Sequence, residues 1–562
     1  MADGDGVQLM RFACHQCRAR KLKCNRLQPC QRCSQLGEDC QYSETRQRPG
    51  HAPRRPKVKE LQHRLTELEH RLKPQLEIEQ NAGGRVFGDQ AYAEVVPTGR
   101  LEQLPPQSVI DELTSIYFSR LYSDTPMQDP TRYLDSLHRP PHMQPPICLQ
   151  YAILAMAATV SPAHKELALP FYYRARNYIE RDEMKGGRRA DGHHIITIGH
   201  AQCWLLLSHF EARRPWYARA SMSVSRCVRL AQMLGLYDVE AADGGFALAP
   251  ANNWLEKEER RRTMWAIFCT DRLSSSTTGW HPLVDIKKVR TLLPASEEAF
   301  RLGSEESSLT LHEALGDASA NLSPFACRVV AAHLFNVCLE HTSTRYPNDD
   351  MANPQQSEFW KHQQNLDNQL SILFMVLPNS MRCPPNLTDH NAVSVNLNLH
   401  TASICIHRVG RARVNGASQH AHQHHGAAVR SLTAAKAIFA IIRGLSDPHL
   451  LFANPFVAFA AFMAAIVFAD DFALSHNPQS EECLNVLMDR MVAIADENLV
   501  TASLVMQLAE HMKTSGIDPH AVAKVNHLAA KLEADAFVMP MGLSNHHTGT
   551  VVFCPFQPQL QR

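Results

Sequence analysis

Six cysteines fall within a short stretch near the N-terminus: Cys14, Cys17, Cys24, Cys30, Cys33 and Cys40. Their spacing is C-x2-C-x6-C-x5-C-x2-C-x6-C, one half-unit written twice. Each half is a CxxC pair followed by a third cysteine seven positions on. A CxxC turn brings two sulfurs to one tetrahedral metal, and the third cysteine returns to it after a short helix. Zinc accepts thiolate sulfur at about 2.3 Å and prefers four ligands. Six sulfurs cannot fill two separate four-ligand sites. Two Zn2+ ions therefore need two bridging cysteines, and the symmetric choice is the first of each half, Cys14 and Cys30. So small a segment has almost no apolar core, and its folding energy must come from the metal, on the order of 10 kcal/mol or more per structural zinc.

Disulfides account poorly for this pattern. The start, Met-Ala-Asp-Gly-Asp-Gly, lacks the basic residues and apolar run of a secretory signal, so the 16 cysteines of the chain are expected in a reducing compartment. A redox CxxC would need a βαβ context that is missing. The other ten cysteines are scattered singly, as Cys148, Cys203, Cys383 and Cys405 are, and read as core thiols.

Between Cys17 and Cys24 lies Arg18-Ala19-Arg20-Lys21-Leu22-Lys23, which places four cations on one or two turns of a short helix. Arg11, Arg26 and Arg32 flank it, and no acidic residue occurs from Arg11 to Gly37. Six thiolates and two zinc ions leave a net of −2, which the basic residues outweigh. A cationic helix on a rigid metal frame can enter a DNA major groove, where Arg or Lys donates to guanine N7 and O6. The segment has no aromatic platform of the kind that single-stranded RNA readers use.

The stretches Cys14-His-Gln-Cys17-Arg-Ala-Arg-Lys-Leu-Lys-Cys24 and Gln28-Pro29-Cys30-Gln-Arg-Cys33 resemble the fungal zinc binuclear-cluster (six-cysteine) transcription factors without a gap. The resemblance implies double-stranded DNA as partner, with Lys21 contacting the bases of a CGG triplet. It further implies Arg20 and Lys23 in base or phosphate contact, Arg18 on phosphate and Pro29 in the loop between the halves. It also implies a nuclear regulator of RNA polymerase II genes that works with the transcription machinery. Control of a secondary-metabolite gene cluster is one expectation for its targets; carbon or nutrient metabolism, with a small-molecule inducer sensed by the body, is the other.

The positions of these residues depend on what surrounds them. Charge is uneven: the chain carries +1 overall, whereas residues 1–60 hold 13 Lys+Arg against 6 Asp+Glu. That is a net of +7, leaving −6 for the remainder, and a basic head suits an anionic partner. Residues 1–10 read as a tail, 11–42 as the zinc-cluster domain, and 43–57, with Pro49, Gly50, Pro53 and Pro56, as an extended basic linker. Arg54-Arg55-Pro56-Lys57-Val58-Lys59 could serve nuclear import or touch the DNA backbone. A heptad spans 58–73, with Val58, Leu65 and Leu72 at a, Leu61 and Leu68 at d, and Arg64 at g facing Glu69 at e of a parallel partner. It is marginal alone because helices below about 12–15 residues barely hold. The expectation is a short coiled coil and a homodimer that strengthens on DNA and reads two half-sites.

After a linker at 74–100, residues 101–540 carry helical periodicity and no convincing alternating strands, so the large C-terminal domain is expected to be all-α. Ser108 reads as a helix start with Asp111 three residues on, and Val109, Leu113, Ile116 and Tyr117 share a face. Ala220, Val224, Cys227, Ala231 and Leu234 form a 4-3-4-3 stripe that Gly235 ends. Arg229-Leu-Ala-Gln-Met-Leu-Gly-Leu236 and Glu258-Glu-Arg-Arg-Arg-Thr-Met-Trp265, running on to Asp271-Arg272, resemble the fungal-specific middle homology regulatory domain. Where that family has Gly-Arg-Pro, this chain has Gly279-Trp280-His281-Pro282. Glu258 to Arg262 reads as a charged helix start with Trp265 and Phe268 packing inward. His420, His422, His424 and His425 read as a polar connector beside Gly416, Ala417 and Ser418.

The apolar run Phe456–Ala469 is about 14 residues, short of the ~20 that span a bilayer, and reads as a core helix, so no membrane partner is expected. Enzyme signatures fail. His312-Glu313 is followed by Gly316 where a zinc protease needs its second His, and no GxGxxG, P-loop or GxSxG occurs. Residues 541–562 read as a tail, with Val551-Val-Phe-Cys-Pro-Phe556 a weak candidate for activation.

Overall fold

The computed structural model describes residue 10, residues 12–42, and residues 105–528 apart from 141–142, 186–195, 215, 242–247, 279, 317–320, 345, 347–356, 415–420, 446–454, 496–497 and 518–524. The basic linker, the heptad at 58–73, the linker at 74–100, Gly279, Gly416 to Ser418, His420 and the 541–562 tail lie outside the described residues. The chain divides into two units, Met1–Glu94 and Val95–Arg562.

The described residues of the first unit form two short helices, α1 (His15–Ala19) and α2 (Gln31–Leu36). Its buried residues are cysteines: Cys14, Cys17, Cys30, Cys33 and Cys40, with Cys24 and Tyr42 packed against them. Among the described residues of this unit no other apolar cluster is present, as expected of a fold built on metal.

The described elements of the second unit are helices, and among the described residues there is no strand. It opens with α3 (Gln107–Ile116), a π-turn (Tyr117–Leu121) and α4 (Pro130–Leu137). α5 (Ile147–Thr159), α6 (Ala168–Lys185), α7 (Ile198–Ala212) and α8 (Tyr217–Met233) then pack on one another. α5 is apolar all round, so it is buried on all sides rather than on one stripe. The α3 face formed by Val109, Leu113, Ile116 and Tyr117 turns inward as the periodicity requires. The start differs from the sequence expectation: Pro106 is the N-cap and Ser108 caps nothing, because the proline already fixes the chain direction there and Asp111 instead accepts from the Gln107 amide at 2.8 Å. The five-residue stripe of α8 is buried throughout, and Gly235 ends the run in the left-handed region at φ 73.

α9 (Trp254–Thr278) joins this layer to the rest by packing on α12 (Pro324–Ser343), which follows the short α10 (Glu297–Leu302) and α11 (Leu311–Gly316). Ser323 caps α12 by accepting from the Ala326 N–H, with Pro324 at the first helical position. Beyond α13 (Glu358–Val376), α14 (His390–Val414) lies against both α12 and α15 (Ala421–Gly444). His422, His424 and His425 therefore sit in the first turns of α15, not in a connector, because the helix already begins at Ala421. α16 (Pro455–Ser475), α17 (Pro478–Ala495) and α18 (Leu499–Thr514) follow. α16 is long and apolar enough to cross a membrane, but Phe456 to Ala469 are all buried in the protein core.

Glu258 to Arg262 do not start a helix; they lie inside α9 with Glu258 and Arg262 fully buried. Their partners are both backbone groups and charged side chains. Arg262 donates to the carbonyls of Ala295 at 2.9 Å and Pro126 at 3.3 Å, and pairs with Glu297 at 2.7 Å. Glu258 accepts from Arg262 at 3.0 Å and from the Ala295 N–H at 2.9 Å. One turn on, Trp265 donates to the Leu292 carbonyl. Asp271 accepts from the Leu283 and Val284 N–H groups, and Arg272 returns to the Val284 carbonyl. The whole signature straps an irregular segment, 283–297, along α9. Charged residues are needed because that segment has backbone groups that no helix or sheet satisfies.

Candidate metal centre and nucleic-acid interface

The cluster is a pseudo-repeat with an offset of 16 residues. Arg18 N–H donates to the Cys14 carbonyl at 2.9 Å, and Ser34 N–H to Cys30 at 2.9 Å. Leu22 N–H donates to Cys17 at 2.8 Å, and Glu38 N–H to Cys33 at 3.0 Å. The residue after each third cysteine ties down the other half: Gln41 accepts from His15 N–H at 2.9 Å through its carbonyl, and Asn25 from Gln31 N–H at 3.1 Å through its side chain. The halves meet through the Gln28–Pro29 peptide, which is cis.

This backbone gathers the sulfurs into two groups, Cys14, Cys17, Cys24, Cys30 and Cys14, Cys30, Cys33, Cys40, each with its sulfurs within 4.8 Å of one another. Cys14 and Cys30 are common to both, the pair that the symmetry of the spacing selects. The Sγ separations are 3.7 Å for Cys14–Cys30, 3.7 Å for Cys14–Cys33 and 3.8 Å for Cys17–Cys30. A tetrahedron with zinc–sulfur bonds of about 2.3 Å has edges of about 3.8 Å, so the donors fit Zn2+. A disulfide would require about 2.05 Å. The Cys33 N–H points at the Cys30 sulfur, and with the thiolate it favours holds Cys30 down to about 6. A second amide, from Cys30, donates to Cys40 Sγ at 3.1 Å. Sequence reading did not find Tyr42, whose hydroxyl lies 3.5 Å from Cys24 Sγ and 2.7 Å from the Leu27 carbonyl that it donates to.

The cations are not arranged as expected. α1 ends at Ala19, so only Arg18 of the four is helical; Arg20 is the C-cap. Lys21 follows in the left-handed region at φ 54, and Leu22 and Lys23 run on without helical structure. A continuing helix would carry Cys24 away from the sulfurs, and the reversal at Lys21 brings it back. Lys21 stands at the offset position of Gly37, which has φ 64. Arg18, Arg20, Lys21 and Lys23 are all exposed, as are Arg26 and Arg32. Arg20 pairs with Glu38 at 2.8 Å; among the described residues the other five make no ion pair. A tight cationic loop at the end of a one-turn helix, held on a metal frame, can present ammonium and guanidinium groups to a groove.

The remaining described cysteines behave as core thiols. Cys148, Cys203 and Cys405 are buried and Cys383 is half-buried; burial pushes Cys405 up to about 12 and Cys383 up to about 11.

Residues 12–49 match the fungal Zn(2)-Cys(6) binuclear cluster domain, which binds two zinc ions, and residues 114–367 match the fungal specific transcription factor domain. A pigment biosynthesis transcriptional activator of Monascus ruber is 31% identical over 276 residues, 48% of this chain and 48% of that protein. An azaphilone cluster-specific transcription factor of Aspergillus niger is 28% identical over 369 residues, 62% of this chain and 76% of the relative. A citrinin biosynthesis transcriptional activator of Monascus purpureus is 24% identical over 537 residues, 86% of this chain and 89% of the relative. The chain thus spans about half the length of the Monascus ruber relative and most of the other two. None of these domains or relatives is an enzyme.

Proposed function

Because this chain belongs to the fungal Zn(2)-Cys(6) binuclear-cluster family of transcription factors, we propose that it acts in the nucleus on RNA polymerase II genes by reading CGG half-sites, and that its targets form a secondary-metabolite biosynthetic cluster. One observation carries the reading: an exposed cationic loop, Arg18 to Lys23, hangs from two four-sulfur groups that share Cys14 and Cys30. Cys14, Cys17, Cys24, Cys30, Cys33 and Cys40 would hold two Zn2+ ions, whose role is to fix this loop. Lys21, turned out of helix by its left-handed backbone, donates to guanine N7 and O6. Arg18, Arg20 and Lys23 sit one to three residues away, where phosphate contacts set register. The domain limits follow: 11–42 reads DNA, 58–73 pairs two copies, and 101–540 forms the regulatory body. The targets are inferred from the relatives, which are named for pigment, azaphilone and citrinin biosynthesis.

Genome-wide mapping of bound sites in the source cell tests this. The expected result is paired CGG triplets upstream of neighbouring biosynthetic genes. Sites without CGG enrichment overturn the base reading, and CGG sites gathered at carbon- or nutrient-use genes overturn the choice of pathway.

A further inference from the structure

We propose that Glu38 is a positioning residue that sets the strength of DNA binding by competing with phosphate for Arg20; the inference rests on the DNA-binding reading above. Superposing the half-units by their 16-residue offset puts Arg18, Arg20, Lys21, Leu22 and Lys23 of the first on Ser34, Leu36, Gly37, Glu38 and Asp39 of the second. The backbone is repeated and the charge is reversed. Glu38 and Asp39 are the only acidic residues between Phe12 and Tyr42. The two do different things: Asp39 accepts from the Gln41 side chain at 2.6 Å, whereas Glu38 reaches across to Arg20 in the other half at 2.8 Å.

The Glu38 backbone is anchored by its N–H to the carbonyl of Cys33, so the carboxylate is delivered from the frame itself. A carboxylate and a phosphate offer the guanidinium fork the same pair of anionic oxygens. The Arg20 and Glu38 side chains are 54% and 26% exposed. An exposed pair of this kind contributes little to folding. Its consequence is for charge: of the six described cations around the cluster, Arg20 already has an anion, and to take a DNA phosphate it must give Glu38 up. The freed carboxylate then stays beside the loop, facing the phosphates. Arg20 therefore adds little net attraction while Glu38 is present, and affinity stays below what six free cations would give.

The test uses the full chain loaded with zinc, binding a CGG duplex and a scrambled duplex by fluorescence anisotropy over a range of salt. Glu38→Gln and Glu38→Ala are expected to tighten binding to both duplexes by roughly three- to tenfold at about 0.1 M salt, and to steepen log K against log salt by up to about one. Glu38→Asp, which restores an anion, is expected to return both readings most of the way to wild type. In an Arg20→Gln background, Glu38→Gln is expected to keep less than half of its gain. Zinc content, measured for each variant, separates loss of the frame from loss of the pair. Unchanged affinity and slope in both Glu38 variants, or an undiminished gain without Arg20, overturns the proposal. A wild-type chain that binds both duplexes equally overturns the base reading alone, because the Glu38 effect is still read on the scrambled duplex.

Discussion

Left-handed backbone costs a residue with a side chain roughly 1–2 kcal/mol relative to glycine, and the cluster accepts that cost at Lys21 while using glycine at the matching Gly37. On the proposed reading, that cost at Lys21 is retained for the base contact of its side chain. Two substitutions separate backbone from side chain: Lys21→Gly suits φ 54, and Lys21→Val does not. In competition with a chelator, Lys21→Gly is expected to hold zinc at least as well as wild type, Lys21→Val to release it at lower chelator, and both to lose CGG preference; earlier release from Lys21→Gly contradicts the reading. The lost preference corresponds to about 1–3 kcal/mol for a good base contact. The ligand set was legible in sequence because metal geometry imposes its spacing directly. The shape of the cationic loop was not, because a lysine carries no local signal of positive φ. That signal lay in the repeat, at Gly37. The Arg20–Glu38 pair was invisible for a related reason: its partners are neighbours only once the two halves share a metal frame.

The helix α9 carries its charges inside the body. Truncating one partner of a buried ion pair typically costs 3–5 kcal/mol because the other charge is left without compensation. Glu258→Leu leaves Arg262 with the half-exposed Glu297 as its one carboxylate partner and the Ala295 N–H without its acceptor, and should lower the stability of the body by about 2–4 kcal/mol. All six tryptophans lie beyond residue 200, so urea unfolding followed by tryptophan fluorescence reads the body without the zinc unit. A loss below 1 kcal/mol would mean that Arg262 finds its backbone partners sufficient. A second expectation concerns acid. Burial pushes the Asp470 carboxyl up, but the Arg408 guanidinium and the His511 ring outweigh it and hold the group down to about 2. A carboxyl depressed in the folded state stabilises above its unfolded value, near 3.9, and loses that contribution as pH falls toward 2. Asp470→Asn should therefore be less stable than wild type at neutral pH, with the difference closing between about pH 5 and pH 2; a difference independent of pH contradicts the assignment. The sequence pattern found α8 and α16 because their apolar residues follow helical spacing or fill every face. It misread Glu258 to Arg262 because a charge run is assigned to water unless the loop it straps is known, and that loop lies some 20 to 40 residues further on.

At the scale of the whole molecule, a head with net +7 within the first 60 residues accompanies a remainder of −6, and long-range attraction to a duplex falls to the head. The zinc unit is too small to bind tightly by itself, so pairing two heads through 58–73 is the proposed route to a specific site. Replacing Leu65 by Pro breaks the centre of that heptad. It is expected to leave zinc content unchanged and to weaken binding to a two-half-site duplex by at least tenfold, while binding to a single half-site stays as it was; equal loss on both duplexes contradicts pairing through this segment. Every expectation about DNA depends on the metal frame. The most direct measurement is therefore elemental analysis of the purified full chain together with its affinity for a CGG duplex before and after a zinc chelator. The account predicts two zinc ions per chain, loss of CGG binding on chelation and its return when zinc is restored. A chain without zinc, or one whose grip on the duplex survives complete removal of the metal, contradicts it.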